Sequence, residues 1–319
     1  MSRSNSCVVL GGSGFLGQRL CARLISEGFR VIAVSRSGAP AGANEAWCSK
    51  VEWVAAPMAS ETSLKVLDTS EFLFHLASST VPSTSNSNIV FDLESNVIAT
   101  VAVLEAAVRQ KVRRVAFVSS GGTVYGIPQR NLIDEAHPTD PICSYGIQKL
   151  AIEKYLRLFR FMAGLDSIVL RVSNMYGESQ IPGGPVGAVT HFMDRAMHGK
   201  PIEIWGDGSI IRDYVHVDDV VEALVSSIAY RGSERLFNIG TGRGVSLKQL
   251  IEMIQARIGL ELACEFNPPR GFDVGENVLD VSRARHELMW APSVTLESGL
   301  DRMIERLRSA RFPIAVSVG

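Results

Sequence analysis

With 319 residues and 46% apolar side chains, the chain can form one large domain or two interlocked lobes around a substantial core. A formal net charge of -1 and 20% charged residues exclude the basic field that recruits nucleic acid or an anionic membrane. Cys7, Cys21, Cys48, Cys143 and Cys264 form no CxxC pair or Cys/His cluster, so no metal site is expected.

The opening MSRSNSCVVLGG lacks a signal-peptide pattern, and no stretch is long and apolar enough to span a bilayer. Together with the scattered cysteines, this makes a reducing cytoplasmic setting the expectation.

Short apolar runs punctuate the first half: CVVL at 7–10, RVIAVS at 30–35, VEWVA at 51–55, EFLFHLA at 71–77, RRVAFVSS at 113–120 and SIVLRVS at 167–173. Segments 15–27, 89–110 and 144–162 between them show helical spacing, as in Val97, Val101, Leu104 and Val108. Continuous apolar strands alternating with helices predict an α/β fold with a doubly wound parallel sheet, covered on both faces. Beyond it, 178–188 and 267–276 read as Gly/Pro-rich loops. Short strands are expected at 202–205 and 213–217, and helices at 218–230, 246–259 and 296–309. The predicted organisation is a dinucleotide-binding domain over 1–176, with segments near 213–241 returning to it, and a smaller C-terminal substrate-binding lobe over 177–319.

Residues 8–17, VVLGGSGFLG, place Gly11, Gly14 and Gly17 between the first strand and the first helix. Glycines there permit a tight turn and let backbone amides approach a pyrophosphate at the helix N-terminus. The following Phe15 and Leu16 belong to the same candidate site. At the end of the second strand an acidic residue normally binds the ribose hydroxyls of NAD, and an arginine accommodates the phosphate of NADP. Here Ser35 and Arg36 occupy that place. Arg36 suits a phosphate, which favours NADP(H) as the form of the NAD(P) cofactor; a solvated surface arginine is the alternative.

In SYGIQK at 144–149, Tyr145 and Lys149 lie four apart on one helical face. An ammonium beside a phenol favours the phenolate, so the pair suits acid/base chemistry.

The motifs GGSGFLG, FVSSGGTVYG and SYGIQK together resemble the extended short-chain dehydrogenase/reductase family, and within it the NAD-dependent epimerase/dehydratase group of UDP-glucose 4-epimerase type. HLAS at 75–78, LRVSNMYG at 170–177, IEIWGDGSIIRDYVHVDD at 202–219 and FNIGTG at 237–242 extend the similarity along almost the whole chain. The resemblance implies a Rossmann-like fold, with Tyr145 as acid/base and Lys149 as its partner. It implies that Leu76, Ala77 and Ser78 line the cofactor, with Asn96 in support. It also implies that Asn174, Arg212 and Arg270 hold a nucleotide diphosphate, that Thr80 and Thr123 lie by the substrate, and that helices 89–110 and 144–162 form a homodimer interface.

Five positions depart from the family pattern, Ser35 in place of the acidic ribose ligand among them. Gly121 stands where a Ser or Thr hydroxyl normally polarises the sugar, leaving Ser120 and Thr123 as candidates to replace it, with Ser119 in the sheet. Leu10 replaces a Thr, Pro57 an Asp and Thr80 a lysine. Three functions follow: a nucleotide-sugar 4-epimerase acting on a UDP-hexose, an NADPH-dependent reductase of a nucleotide 4-keto sugar, or a catalytically weak dinucleotide-binding regulator. Retention of Tyr145 and Lys149 argues against the third.

Overall fold

The computed structural model describes residues 5–41, 45–130, 132–178, 180, 186–269 and 274–311. In chain order these form β1 (Ser6–Leu10), α1 (Phe15–Ser26), β2 (Arg30–Ser35), β3 (Glu52–Ala55), α2 (Glu61–Lys65), β4 (Phe72–His75), α3 (Ile89–Asp92), α4 (Ala99–Arg109), β5 (Arg114–Ser120), α5 (Ser144–Ala163) and β6 (Ser167–Val172). The second half supplies β7 (Asn174–Tyr176), α6 (Ala188–Met197), β8 (Ile202–Trp205), β9 (Ile211–His216), α7 (Val217–Ala229), β10 (Leu236–Ile239), β11 (Gly244–Ser246), α8 (Leu247–Ile258), β12 (Cys264–Asn267), β13 (Glu276–Asn277), α9 (Ser282–Glu287) and α10 (Leu296–Arg311).

Seven strands pair in the order β3-β2-β1-β4-β5-β6-β10, all parallel. The order reverses between β1 and β4, which opens a crevice at their carboxyl ends. Side-chain alternation on β1 shows why both faces must be covered. Cys7 and Val9 pack in one layer with Leu20 and Leu24 of α1 and Val220 and Leu224 of α7. Val8 and Leu10 pack in the other with Val103 and Leu104 of α4 and Ile152 and Leu156 of α5.

A third apolar cluster gathers Phe192 and Met193 of α6, Ile202 and Ile204 of β8, Leu250 and Ile254 of α8, and Leu300 and Ile304 of α10. Around it lie the parallel pair β8–β12 and the sheet β11-β9-β13, with β7 also on β9. Chain segments cross between these clusters. β10 joins the large sheet beside β6, and Leu279, Val281, Leu288 and Trp290 pack in the layer of α1 and α7. Buried carboxylates fix the crossings: Asp213 accepts from the backbone of Thr241, Gly242 and Leu279, and Asp219 from that of Ser293 and Val294.

The segment 89–110 is not one continuous α-helix. A π turn over Leu93–Ile98 separates α3 from α4. Such a turn inserts a residue without disturbing the apolar faces on either side, so apolar spacing alone does not reveal it. Its consequence is local: Asn96 sits on the wide turn, and the Thr100 hydroxyl donates to the Asn96 carbonyl at 2.5 Å.

Candidate active site

Gly11 follows β1 with φ +86°, and a Cβ there would lie 2.9 Å from the amide nitrogen of Ala77. A Cβ on Gly17 would lie 2.2 Å from the Gly11 carbonyl oxygen. Absent side chains therefore let the loop, the start of α1 and the strand end at Ala77 close on one another. The result is a cleft of about 710 Å³ lined by Gly11, Ser13 and Gly14, by Val34–Ser37, by 56–60, and by Leu76, Ala77, Ser78, Ser79 and Asn96. Phe15 and Leu16 open α1 next to this lining, and Leu16 is buried in the core beneath it.

Arg36 is the one charged side chain among the described lining residues, and it is exposed. Ser35 donates its hydroxyl to the Gly38 carbonyl at 2.6 Å, which leaves its oxygen as an acceptor only. Pro57, Met58 and Ala59 give the far end of the cleft an apolar wall. The shape and the glycine cradle fit a dinucleotide, with its pyrophosphate at the N-terminus of α1.

Asn96 does not present free groups to this cleft. Its side-chain oxygen accepts from the Ser79 amide at 2.8 Å, and its nitrogen donates to the Asp92 carbonyl at 2.9 Å. It holds the loop 77–80 in place. Ser78 donates to the Thr80 carbonyl at 2.9 Å.

Tyr145 and Lys149 lie on the first turns of α5. The Lys149 ammonium stands 5.4 Å from the centre of the Tyr145 ring and 4.9 Å from that of Phe117, and it donates to the Val118 carbonyl at 2.9 Å. Burial, with Cys143 and Asp92 adding to it, pushes the Tyr145 phenol up to about 12. The sequence-based expectation that the ammonium would favour the phenolate is not met. Lys149 is itself buried and is pulled down to about 8 by desolvation, against the opposing charges of Glu153 and Asp92. His75, at the end of β4, is pushed down to about 3 by burial and by Lys149, so it is neutral.

The hydroxyl-rich stretch after β5 resolves into distinct roles. Ser119 faces α5 and donates to Glu153 at 2.5 Å. Ser120 is partly exposed at the strand end, and its hydroxyl has no hydrogen bond among the described residues. The Thr123 hydroxyl is buried without a partner. A Cβ on Gly146, next to Tyr145, would lie 2.8 Å from the Thr123 carbonyl oxygen, so α5 abuts Thr123 directly. Gly121 is tightly enclosed: a Cβ there would lie 2.5 Å from Leu279 Cδ1 and 3.1 Å from the Arg171 carbonyl oxygen, so a side chain requires the leucine to shift.

Asn174 and Arg212 come together in the small sheet, where Asn174 pairs with Tyr214 and its amide donates to the Asp213 carbonyl at 3.2 Å. Arg212 donates to the Ile211 carbonyl at 2.8 Å. Thr80 turns toward a polar cluster rather than standing alone: it donates to Asp92 and accepts from Gln148 at 3.1 Å. Arg270 lies outside the described residues.

Sequence reasoning missed Asp92, Ser144 and Gln148. The signal available was a second pair of i, i+4 spacings: Ser144 and Gln148 beside Tyr145 and Lys149, and Asp92 and Asn96 across the π turn.

A family model for the NAD-dependent epimerase/dehydratase family matches residues 7–240. The chain belongs to this family. Within it, the chain is 37% identical to a UDP-glucose 4-epimerase of Mycolicibacterium smegmatis, over 95% of this chain and 98% of that protein. It is 32% identical to a dTDP-4-dehydro-6-deoxyglucose reductase of Escherichia coli, over 96% and 99%. The crystal structure of the UDP-glucose 4-epimerase of Thermotoga maritima with UDP-glucose superposes with a TM-score of 0.89 at 33% identity, covering 96% of this chain and 99% of that one. Members of this family thus include both an epimerase and a reductase among the near relatives of this chain.

Proposed function

We propose that this protein is an NAD(P)-dependent nucleotide-sugar 4-epimerase whose substrate is a UDP-hexose. The observation that carries the reading is the convergence at the start of α5: its first turns carry Tyr145 and the buried Lys149, it abuts Thr123 with its orphaned hydroxyl, and its Gln148 donates to Thr80 of the loop beside the glycine-cradled cleft. A dinucleotide bound there supplies reversible hydride transfer at C4. Tyr145 takes the C4 hydroxyl proton and returns it to the 4-keto sugar. Lys149 holds a positive charge beneath the phenol. Thr123, with Ser120 as the second candidate, hydrogen-bonds the reacting oxygen in place of the hydroxyl excluded at Gly121. Asn174, Arg212 and Arg270 hold the nucleotide diphosphate. The Mycolicibacterium and Thermotoga relatives, both named UDP-glucose 4-epimerases, support the choice of UDP and of C4.

A second reading is an NADPH-dependent reductase of a nucleotide 4-keto sugar. Arg36, the one charge among the described residues that line the cleft, suits NADPH, and a Tyr145 phenol held protonated suits a reductase, which needs a proton donor. The reductase relative of Escherichia coli supports the same reading. NADP(H) is the preferred cofactor in either case.

The working unit is a homodimer. Val90 of α3 and Ile147, Leu158, Phe161 and Met162 of α5 form an exposed apolar face, with Phe161 89% exposed. No helix among the described residues is long and apolar enough to cross a membrane, and all five cysteines are free, which suits the reducing cytoplasm.

Incubation with UDP-, dTDP- and GDP-sugars, with products resolved by NMR, tests the assignment. Interconversion of C4 epimers without net NADPH consumption supports the epimerase. Stoichiometric NADPH loss on 4-keto sugars supports the reductase. Tyr145→Phe should lower turnover about 10²–10⁴-fold while dinucleotide binding persists; near-normal turnover in this variant would remove the catalytic assignment.

A further inference from the structure

Asp92 is fully buried at the end of α3. Its Oδ1 accepts from the Thr80 hydroxyl, from Gln148 Nε2 at 2.8 Å and from Asn96 Nδ2 at 3.1 Å. Its Oδ2 accepts from the Ser144 hydroxyl at 2.6 Å. These four donors come from the cofactor loop, the π turn and the two α5 positions that flank Tyr145 and Lys149. One carboxylate thus ties the dinucleotide cleft to the acid/base pair.

Its charge is also uncompensated. Around the pair, Glu153 is claimed by Arg171 in a bidentate contact at 2.6 and 3.0 Å and by Ser119. His75 is neutral, and Cys143 adds to the rise of the Tyr145 phenol. Glu94 on the π turn and Glu105 on α4 face solvent. No arginine or lysine of the described residues forms an ion pair with Asp92. A buried, hydrogen-bonded carboxylate without a cation in contact acts on neighbouring titratable groups through a poorly screened medium. Here its charge raises the proton affinity of both Lys149 and Tyr145.

We propose that Asp92 is a positioning residue that sets both the geometry of the first turn of α5 and the charge state of the Tyr145–Lys149 pair. This inference rests on the reading of Tyr145 and Lys149 as the acid/base pair. The negative charge favours the ammonium and disfavours the phenolate, so removing it moves both titrations the same way, to lower pH.

Asp92→Asn is a clean test because it can keep every hydrogen bond. The amide oxygen accepts from Thr80, Gln148 and Asn96, and the amide nitrogen donates to Ser144, whose hydroxyl accepts instead. The alkaline limb of the kcat–pH profile should move down by about one pH unit, with kcat near pH 8 falling about tenfold and KM within about twofold. Ultraviolet difference titration, with Tyr145 identified by subtraction of Tyr145→Phe, should show its phenolate forming at lower pH than in the unmodified protein. Thr80→Lys sets an ammonium against the same carboxylate and should produce the same downward movement, which covers the case in which Asp92→Asn does not fold. Unmoved titrations in a folded Asp92→Asn, or in Thr80→Lys, would overturn the inference and leave Asp92 a hydrogen-bond tie. The phenolate titration needs no turnover, so an active Tyr145→Phe would defeat the catalytic reading separately.

Discussion

Gly121 and Leu279 are packed so closely that a Cβ on the glycine would come 2.5 Å from the leucine Cδ1. Leu279 is completely buried, and the Arg171 carbonyl oxygen blocks the other side at 3.1 Å. The missing hydroxyl at this position is therefore a packing consequence as well as a chemical one. Gly121→Ser should destabilise the protein by about 1–3 kcal/mol, the usual cost of overpacking, without raising kcat. Urea unfolding checks the first part and steady-state kinetics the second. A stable, faster Gly121→Ser enzyme would show that the leucine yields and that the family hydroxyl can be restored.

Thr123 is predicted to carry the role that Gly121 cannot. Its buried hydroxyl lacks a partner, and such a group in a native protein calls for a ligand or a cost. Thr123→Val keeps the shape and removes the unsatisfied group. It should stabilise the free protein by about 1 kcal/mol while lowering kcat more than it raises KM. Ser120→Ala should change turnover less. Thermal unfolding and kinetics on the two variants decide between them; a larger kcat loss in Ser120→Ala reverses the assignment.

Much of this arrangement was legible in the sequence. The apolar runs gave six of the large sheet's strands, because a strand buried on both faces must be apolar throughout. The seventh, β10, was visible only as a returning segment, since LFNI is too short to declare its partner. The glycine loop, Tyr145 and Lys149 were legible because their chemistry demands fixed residue types at fixed spacing. The high phenol of Tyr145 was not, because it depends first on burial, then on Cys143 and on Asp92, and both the burial and Asp92, 53 positions away in sequence, arrive only through packing. The engagement of Thr80 and Asn96 in internal hydrogen bonds was hidden for the same reason.

The dimer is predicted to depend on the exposed face of α3 and α5. Ile147, Tyr155, Leu158 and Met162 recur at helical spacing on the side of α5 away from the sheet, with Phe161 beside them. Because these side chains contribute little to the monomer core, Phe161→Glu combined with Val90→Glu should abolish association and leave the fold intact. Light scattering at micromolar concentration should then read a monomer with unchanged circular dichroism. An unmodified protein that is already monomeric would place this apolar face outside any self-association.

Cofactor choice should follow from Arg36 and Ser37. Ser35 has committed its proton to the Gly38 carbonyl, so it cannot donate to a phosphate, although its oxygen can accept from a ribose hydroxyl. Donation to a 2′-phosphate therefore falls to the Arg36 guanidinium and the Ser37 hydroxyl, both exposed at the edge of the cleft. A hydrogen bond to a charged group contributes roughly 1.5–3 kcal/mol, which corresponds to about a 10- to 150-fold preference for NADP(H) over NAD(H). Arg36→Ala should lose most of that preference and Ser37→Ala a smaller part, with affinity for NAD(H) little changed in either. Ser35→Asp together with Arg36→Ala should invert the order, because a carboxylate repels the phosphate and accepts from both ribose hydroxyls. Raising ionic strength should weaken NADP(H) binding more than NAD(H) binding, since the contact is exposed and screened. Calorimetric titration of the four proteins measures each of these. Tighter binding of NAD(H) by the unmodified protein would make Arg36 a surface charge and would strengthen the epimerase reading over the reductase, because an epimerase cycle begins by oxidising its substrate.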